Sequence, residues 1–210
     1  MFDSAFLEEV SKMKEKNIAV ELLKRLLAER VSLYQKTNIV QAEKFSDLLN
    51  RSLSSYLKGL LTNEEVIQEL LNLAKEISSS ESAGNDLGLT REEKSFYDAL
   101  TKPQAVQDVY TNEQLVAMTK ELTEALRKNR TIDWQKKESA RAGMRKMIKR
   151  LLKKYHYPPV EAANALETVI RQCEQWTDNE DTSSEPKLYS LQKNFYSMAA
   201  EPNARYNKSK

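Results

Sequence analysis

Apolar residues recur along most of this chain at intervals of three and four, the spacing that puts them on one face of a helix. Phe6, Val10 and Met13 form a first stripe. Ile18, Leu22, Leu23, Leu26, Leu27 and Val31 form a denser second one. The two are offset near Asn17, which predicts two helices with a break between them. Ile39, Phe45, Leu48, Leu49, Leu53, Tyr56 and Leu57 then give an inward face to a long helix over about 38–60. Further stripes run from Val66 to Ile77, from Phe96 to Leu100, from Leu115 to Leu126, and from Val160 to Trp176, with a short helix over 104–109 between the middle two. No segment alternates apolar and polar residues as a half-buried strand does.

Polar residues mark the starts. Thr62 to Glu65, Thr90 to Glu93 and Thr111 to Gln114 each place a hydroxyl three residues before a Glu or Gln, just ahead of an apolar-periodic run. In such a box the hydroxyl accepts from the third helical amide while the longer side chain accepts from the cap amide. Ser78 to Gly88 (SSSESAGNDLG) reads as a loop by composition, and the helical domain could subdivide near 78–90. After Thr177 the chain turns polar, acidic and unperiodic, with one weak helical pattern at Leu188, Leu191, Phe195 and Met198. The expectation is an all-α, multi-helix bundle of about seven to nine helices. It would occupy residues 1–176, followed by a flexible polar C-terminal tail over 177–210.

Charge changes this picture in one place. Between Trp134 and Tyr157 stand nine lysines and arginines and one acid, Glu138, while the whole chain carries only +2. Asp133 is positioned to cap a helix there. Ala140, Met144, Met147, Ile148, Leu151, Leu152 and Tyr155 would form its inward face, Trp134 would pack at its start, and Pro158 and Pro159 would stop it. The predicted helix is roughly 24 residues, about 36 Å long. Lys137, Arg141, Arg145, Lys146, Lys149 and Lys153 are its candidate binding residues. Two readings stand side by side: a contact surface for phosphate or an acidic protein face, and a solvated helix face whose lysine stems cover apolar neighbours. Gly143, alone inside this helix, reads as a point of close packing.

Composition bounds the rest. A chain of 210 residues, 40% hydrophobic, is long enough to bury a core. Four glycines and five prolines favour long helices. The one cysteine, Cys173, lies in an apolar helical pattern and reads as buried packing. A chain without an internal disulfide, a signal-peptide layout or an apolar run of about 18 residues suggests the cytoplasm and no membrane span. No phosphate-cradling glycine loop and no nucleophile elbow occur. His156 is the one histidine, too few for a metal cluster, and reads as a helix-end residue. The Glu92-Glu93-Lys94 and Glu185-Pro186-Lys187 matches to a nuclease triplet are of a kind that chance supplies in so charged a chain. The residues point to a chain without catalytic or metal-binding groups of its own.

The segment from Leu87 to Trp176 resembles the C-terminal helical region of the restriction (R) subunit of type I restriction enzymes. LGLTREEKSFYDAL, ELTEALRKNRTIDWQKKESARAGMRKMIKRLLKKYHYPP and ETVIRQCEQW carry the resemblance. KNIAVELLKRLL, IVQAEKFSDLL and EEVIQELLNLAKEI extend it upstream, to roughly Asn17–Trp176. Asp133, Trp134, Leu151, Tyr155, Pro158 and Pro159 belong to its signature; Lys136 and Gly143 depart from it. The resemblance implies a non-catalytic domain that docks a DNA translocase and nuclease onto a methyltransferase core of modification and specificity subunits, with DNA present in the assembled complex. It implies no cofactor in this chain, since ATP and Mg belong to the parent subunit's other domains. The alternative is a helical module that binds the DNA backbone through residues 134–157.

Overall fold

A computed structural model describes Phe2 and residues 4–130 and 134–183. Among these it contains α-helices and no strands. They are α1 (Ser4–Ser11), α2 (Lys16–Thr37), α3 (Ile39–Leu57), α4 (Asn63–Asp86), α5 (Arg91–Thr101), α6 (Gln104–Val109), α7 (Asn112–Asn129), α8 (Glu138–Lys154) and α9 (Pro159–Ser183). The break expected near Asn17 falls between α1 and α2. All three capping boxes form with both hydrogen bonds, at Thr62, Thr90 and Thr111.

Two hydrophobic cores lie side by side. The first is built from α1–α4, with Leu23, Leu27, Phe45, Leu70 and Ile77 at its centre. The second is built from α5–α9, around Phe96, Leu122, Leu126, Trp134, Ile148 and Ile170. Cys173 is buried in the second core, as its apolar neighbours suggest, and burial pushes its thiol up to about 12.

The seam between the cores is polar and bonded. Asn38, in the break between α2 and α3, caps α3 by accepting from the Gln41 amide at 3.1 Å. Its Nδ2 donates to Asp98 of α5 at 2.7 Å. Gln172 of α9 reaches the same break: its Oε1 accepts from the Ile39 amide at 2.9 Å and its Nε2 donates to the Thr37 carbonyl at 3.0 Å. Buried polar groups are tolerable only when paired, and here the pairs join the two halves. Glu43 of α3 adds ion pairs to Lys102 and Arg171, both at 2.9 Å.

Four expectations are corrected. Ser78–Gly88 is not a loop: α4 runs through it to Asp86 and packs there against α5, so closely that a methyl group at Gly84 would stand only 3.3 Å from the Lys94 Cγ. The chain then turns out of the helix at Gly88, just past the C-cap Leu87, where a φ of 61° suits a residue without a side chain. Leu57 is not inward but 83% exposed, since α3 stops there and turns at Gly59 (φ 71°). Ile18, expected in an apolar stripe, is 57% exposed. The last helix does not end at Trp176 but continues through Thr177 to Ser183. Asp133 and residues 184–210, including the pattern at Leu188–Met198, lie outside the described residues.

Candidate functional site

The basic helix is shorter than its sequence suggests. Trp134 to Lys136 form a turn, and α8 begins at Glu138 with Lys137 at its N-cap. The reason is Trp134. Its indole is fully buried and donates from Nε1 to the Thr177 hydroxyl of α9 at 3.1 Å. Gln135 donates to the Glu174 carbonyl at 2.8 Å. The chain uses this turn to insert an aromatic anchor under α9, and only then enters the helix. Glu138 in the first turn complements the positive end of the helix dipole.

At the other end α8 stops before the two prolines. The Tyr157 amide donates to the Leu152 carbonyl at 2.9 Å and the His156 amide to the Lys153 carbonyl at 3.1 Å. This bonding pattern is a Schellman end, with His156 at the left-handed position (φ 57°). His156 is therefore the helix-end residue expected, in a conformation that glycine usually fills. Pro159 does not terminate α8 but begins α9, where its missing N–H and fixed φ suit the first helical position. The turn is braced by aromatic residues. Tyr110 stacks on Tyr157 with centroids 6.4 Å apart, Tyr110 donates to the Tyr155 carbonyl at 3.0 Å, and Tyr157 donates to the Leu100 carbonyl at 2.6 Å. Burial raises the Tyr157 phenol well above its ordinary range.

Met144, Ile148, Leu151 and Leu152 form the buried face of α8. The structure divides the remaining charged residues into flanks and a free face. On one flank Arg141 pairs with Glu174 at 2.7 Å and Arg145 with Glu167 at 3.5 Å, both acids of α9. On the other flank Lys154 and the Tyr155 hydroxyl converge on Glu121 of α7, each at 2.7 Å. Donation from Lys154, then from Tyr155, holds the Glu121 carboxyl below its usual range.

Opposite the core stand Lys146, Lys149, Arg150 and Lys153, all exposed and paired with none of the described acids. Their spacing of i, i+3, i+4 and i+7 forms one strip about 10 Å long. Lys137, also exposed, stands apart from the strip at the N-cap. Of the six predicted binding residues, three thus share the free face, two lie in ion pairs and one stands at the N-cap position without a side-chain capping bond. Arg150 completes the face and is not among those six; its place four residues after Lys146 is the signal in the sequence. Gly143 does not mark close packing within the chain, because a side chain there would meet nothing within 4 Å.

Residues 1–179 match a family profile described as "Type I restriction enzyme HindI endonuclease subunit-like, C-terminal". The chain belongs to this family. It is 37% identical over 175 residues to the type I restriction enzyme HindI endonuclease subunit of Haemophilus influenzae, covering 83% of this chain and 17% of that protein. It is 31% identical over 150 residues to a Methanocaldococcus jannaschii protein named as a putative type I restriction enzyme MjaIXP endonuclease subunit, covering 71% of this chain and 14% of that one. The chain therefore spans about a sixth or less of these relatives' lengths. No solved structure matches it. The C-terminal region of this endonuclease family is thus seen here as a helical bundle whose α8 leaves a strip of cations open. Among the described residues no helix is long and apolar enough to cross a membrane.

Proposed function

We propose that this chain is a non-catalytic assembly region. It docks the R subunit of a cytoplasmic type I restriction enzyme onto the methyltransferase core of modification and specificity subunits, using the free face of α8. The observation that carries this reading is the division of the basic helix. Its flanking charges are tied to α7 and α9, while Lys146, Lys149, Arg150 and Lys153 are held on a rigid element with no partner among the described residues. A strip of exposed cations favours a steered, salt-sensitive contact with an acidic surface. ATP and Mg would belong to other parts of the subunit, and DNA would join only in the assembled complex.

A second reading uses the same four cations on the DNA backbone. It predicts affinity for bare duplex with a log–log salt slope of about −3 to −4, near −0.9 for each phosphate engaged. One experiment separates the two. The purified chain is titrated with the methyltransferase core and, separately, with non-specific duplex across a salt series. Docking predicts saturable binding to the core that is lost in the double variant K149E/R150E and kept in R141E. Binding to duplex alone, with that slope, would replace docking by a DNA contact. Binding to neither would remove both readings of this face.

A further inference from the structure

A concavity lined by no residue of α8 lies at the seam of the two cores. It is a cleft of roughly 400 Å³ walled by α2, α4 and α5. That volume is in the range of small-ligand sites, which favour the junctions between packed units. Its walls are rich in donors. Arg30 comes from α2, and Arg91 and Lys94 from α5. Tyr34 of α2 and Ser80 of α4 add hydroxyl groups to the lining.

The acids on these walls engage Lys94 and, at longer range, Arg30, and leave Arg91 unpaired. Asp98 sits on the floor, accepting from Asn38 at 2.7 Å, from Gln41 at 3.1 Å and from Lys94. It is fully engaged and faces the seam. Glu81 meets Arg30 at only 3.5 Å and is itself partly exposed. The Arg30 Nε is out of contact with solvent and has no hydrogen-bond partner. A buried guanidinium N–H left unpaired carries a desolvation cost that an acceptor would recover. Arg91 is exposed and forms no ion pair with the described acids. Two guanidinium groups thus line one cleft, Arg30 loosely held by Glu81 and Arg91 exposed and unpaired among the described residues, and guanidinium groups bind planar or tetrahedral oxyanions with paired hydrogen bonds.

We propose that this cleft is a binding site for a small oxyanion, a phosphate or a carboxylate, held by Arg30 and Arg91 with Tyr34 and Ser80 as neutral partners. The site is independent of the docking face and stands whether or not α8 binds the methyltransferase core. A ligand seated there touches both α2–α4 and α5, so its occupancy stiffens the seam.

The test is titration of the intact chain with inorganic phosphate, pyrophosphate and succinate at constant ionic strength, followed by amide NMR and by melting temperature. The expected result is a saturable response confined to residues 30–38, 80–89 and 91–94, with a rise in melting temperature. R91M, at an exposed position, should weaken binding about tenfold, the worth of a lost charge-assisted bond. E81Q should tighten it severalfold by releasing Arg30. R30M serves as a third variant, and R91M and E81Q decide the matter if R30M proves unstable. Saturation by phosphate or by succinate alone assigns the ligand class. The proposal fails if no anion saturates, if R91M and E81Q bind as the parent does, or if the shifts appear on Lys146–Lys153 and vanish in K149E/R150E. That last outcome would describe the α8 face alone.

Discussion

His156 shows how one residue can be legible in role and not in conformation. Its place at the end of a basic helix is evident from sequence, but its φ of 57° is not. The helices α3, α4 and α8 all close with the same pair of turn bonds, and two of them use Gly59 and Gly88 where α8 uses His156. A side chain in the left-handed region costs of order 1 kcal/mol. His156→Gly is therefore expected to stabilise the chain by about 1 kcal/mol, read as a higher urea midpoint. An unchanged or lower midpoint would show that the imidazole makes a compensating contact. Leu151 illustrates the opposite case. Its position on the apolar face of α8 is readable from the sequence, and it is buried. Leu151→Ala should cost about 2–5 kcal/mol by opening a cavity; a loss under about half a kcal/mol would place that side chain outside the core. Leu57 has the same kind of pattern and lies in solvent, because periodicity does not reveal where a helix stops. The pairing of Arg141 and Arg145 with Glu174 and Glu167 is equally hidden, since it depends on how α9 crosses α8.

At the scale of the element, the legible signals are local ones. Each capping box closes within four residues and needs nothing from the rest of the chain, and all three form. Thr111→Ala should cost roughly 1 kcal/mol, measured by thermal or urea unfolding. The start of α8 is not legible, because a tertiary demand, the burial of Trp134 under Thr177, overrides its helical pattern. The stretch Ser78–Gly88 misleads for a related reason. Its small and polar residues look like a loop, yet α4 packs there against Lys94 at Gly84, and the chain turns out of the helix only at Gly88. Gly143 gives a cleaner test of the α8 face. It is mid-helix, with open space where a side chain would stand. Gly143→Ala should stabilise the free chain by about 1 kcal/mol. If the same substitution weakens binding to the methyltransferase core, the proposed contact extends over that turn.

For the whole molecule, the all-α class is legible from periodicity and capping, while the polar seam is not. Asn38, Asp98 and Gln172 are far apart in sequence and look like ordinary polar residues. The seam also carries a pH signature. Hydrogen bonding from Lys102 lowers the Glu43 pKa, with a further contribution from Arg171 and against an opposing effect of burial. A depressed carboxyl contributes stability that is present above its unfolded value and lost as pH falls through the folded one. Melting temperature should thus drop between about pH 6 and pH 3 by less in Glu43→Gln than in the parent. An equal drop in both would exclude Glu43 from that acid response. The two cores also set an order of events during synthesis. The first draws only on residues from Phe2 to Ile77, so it can close on the ribosome as soon as α4 has emerged. The second needs Ala165, Val169, Ile170 and Cys173 to cover Trp134 and Ile148, so it waits for α9. Until Gln172 arrives, the Ile39 amide and the Thr37 carbonyl lack the partner they have in the finished fold, and the nascent chain holds a completed half beside an unfinished joint.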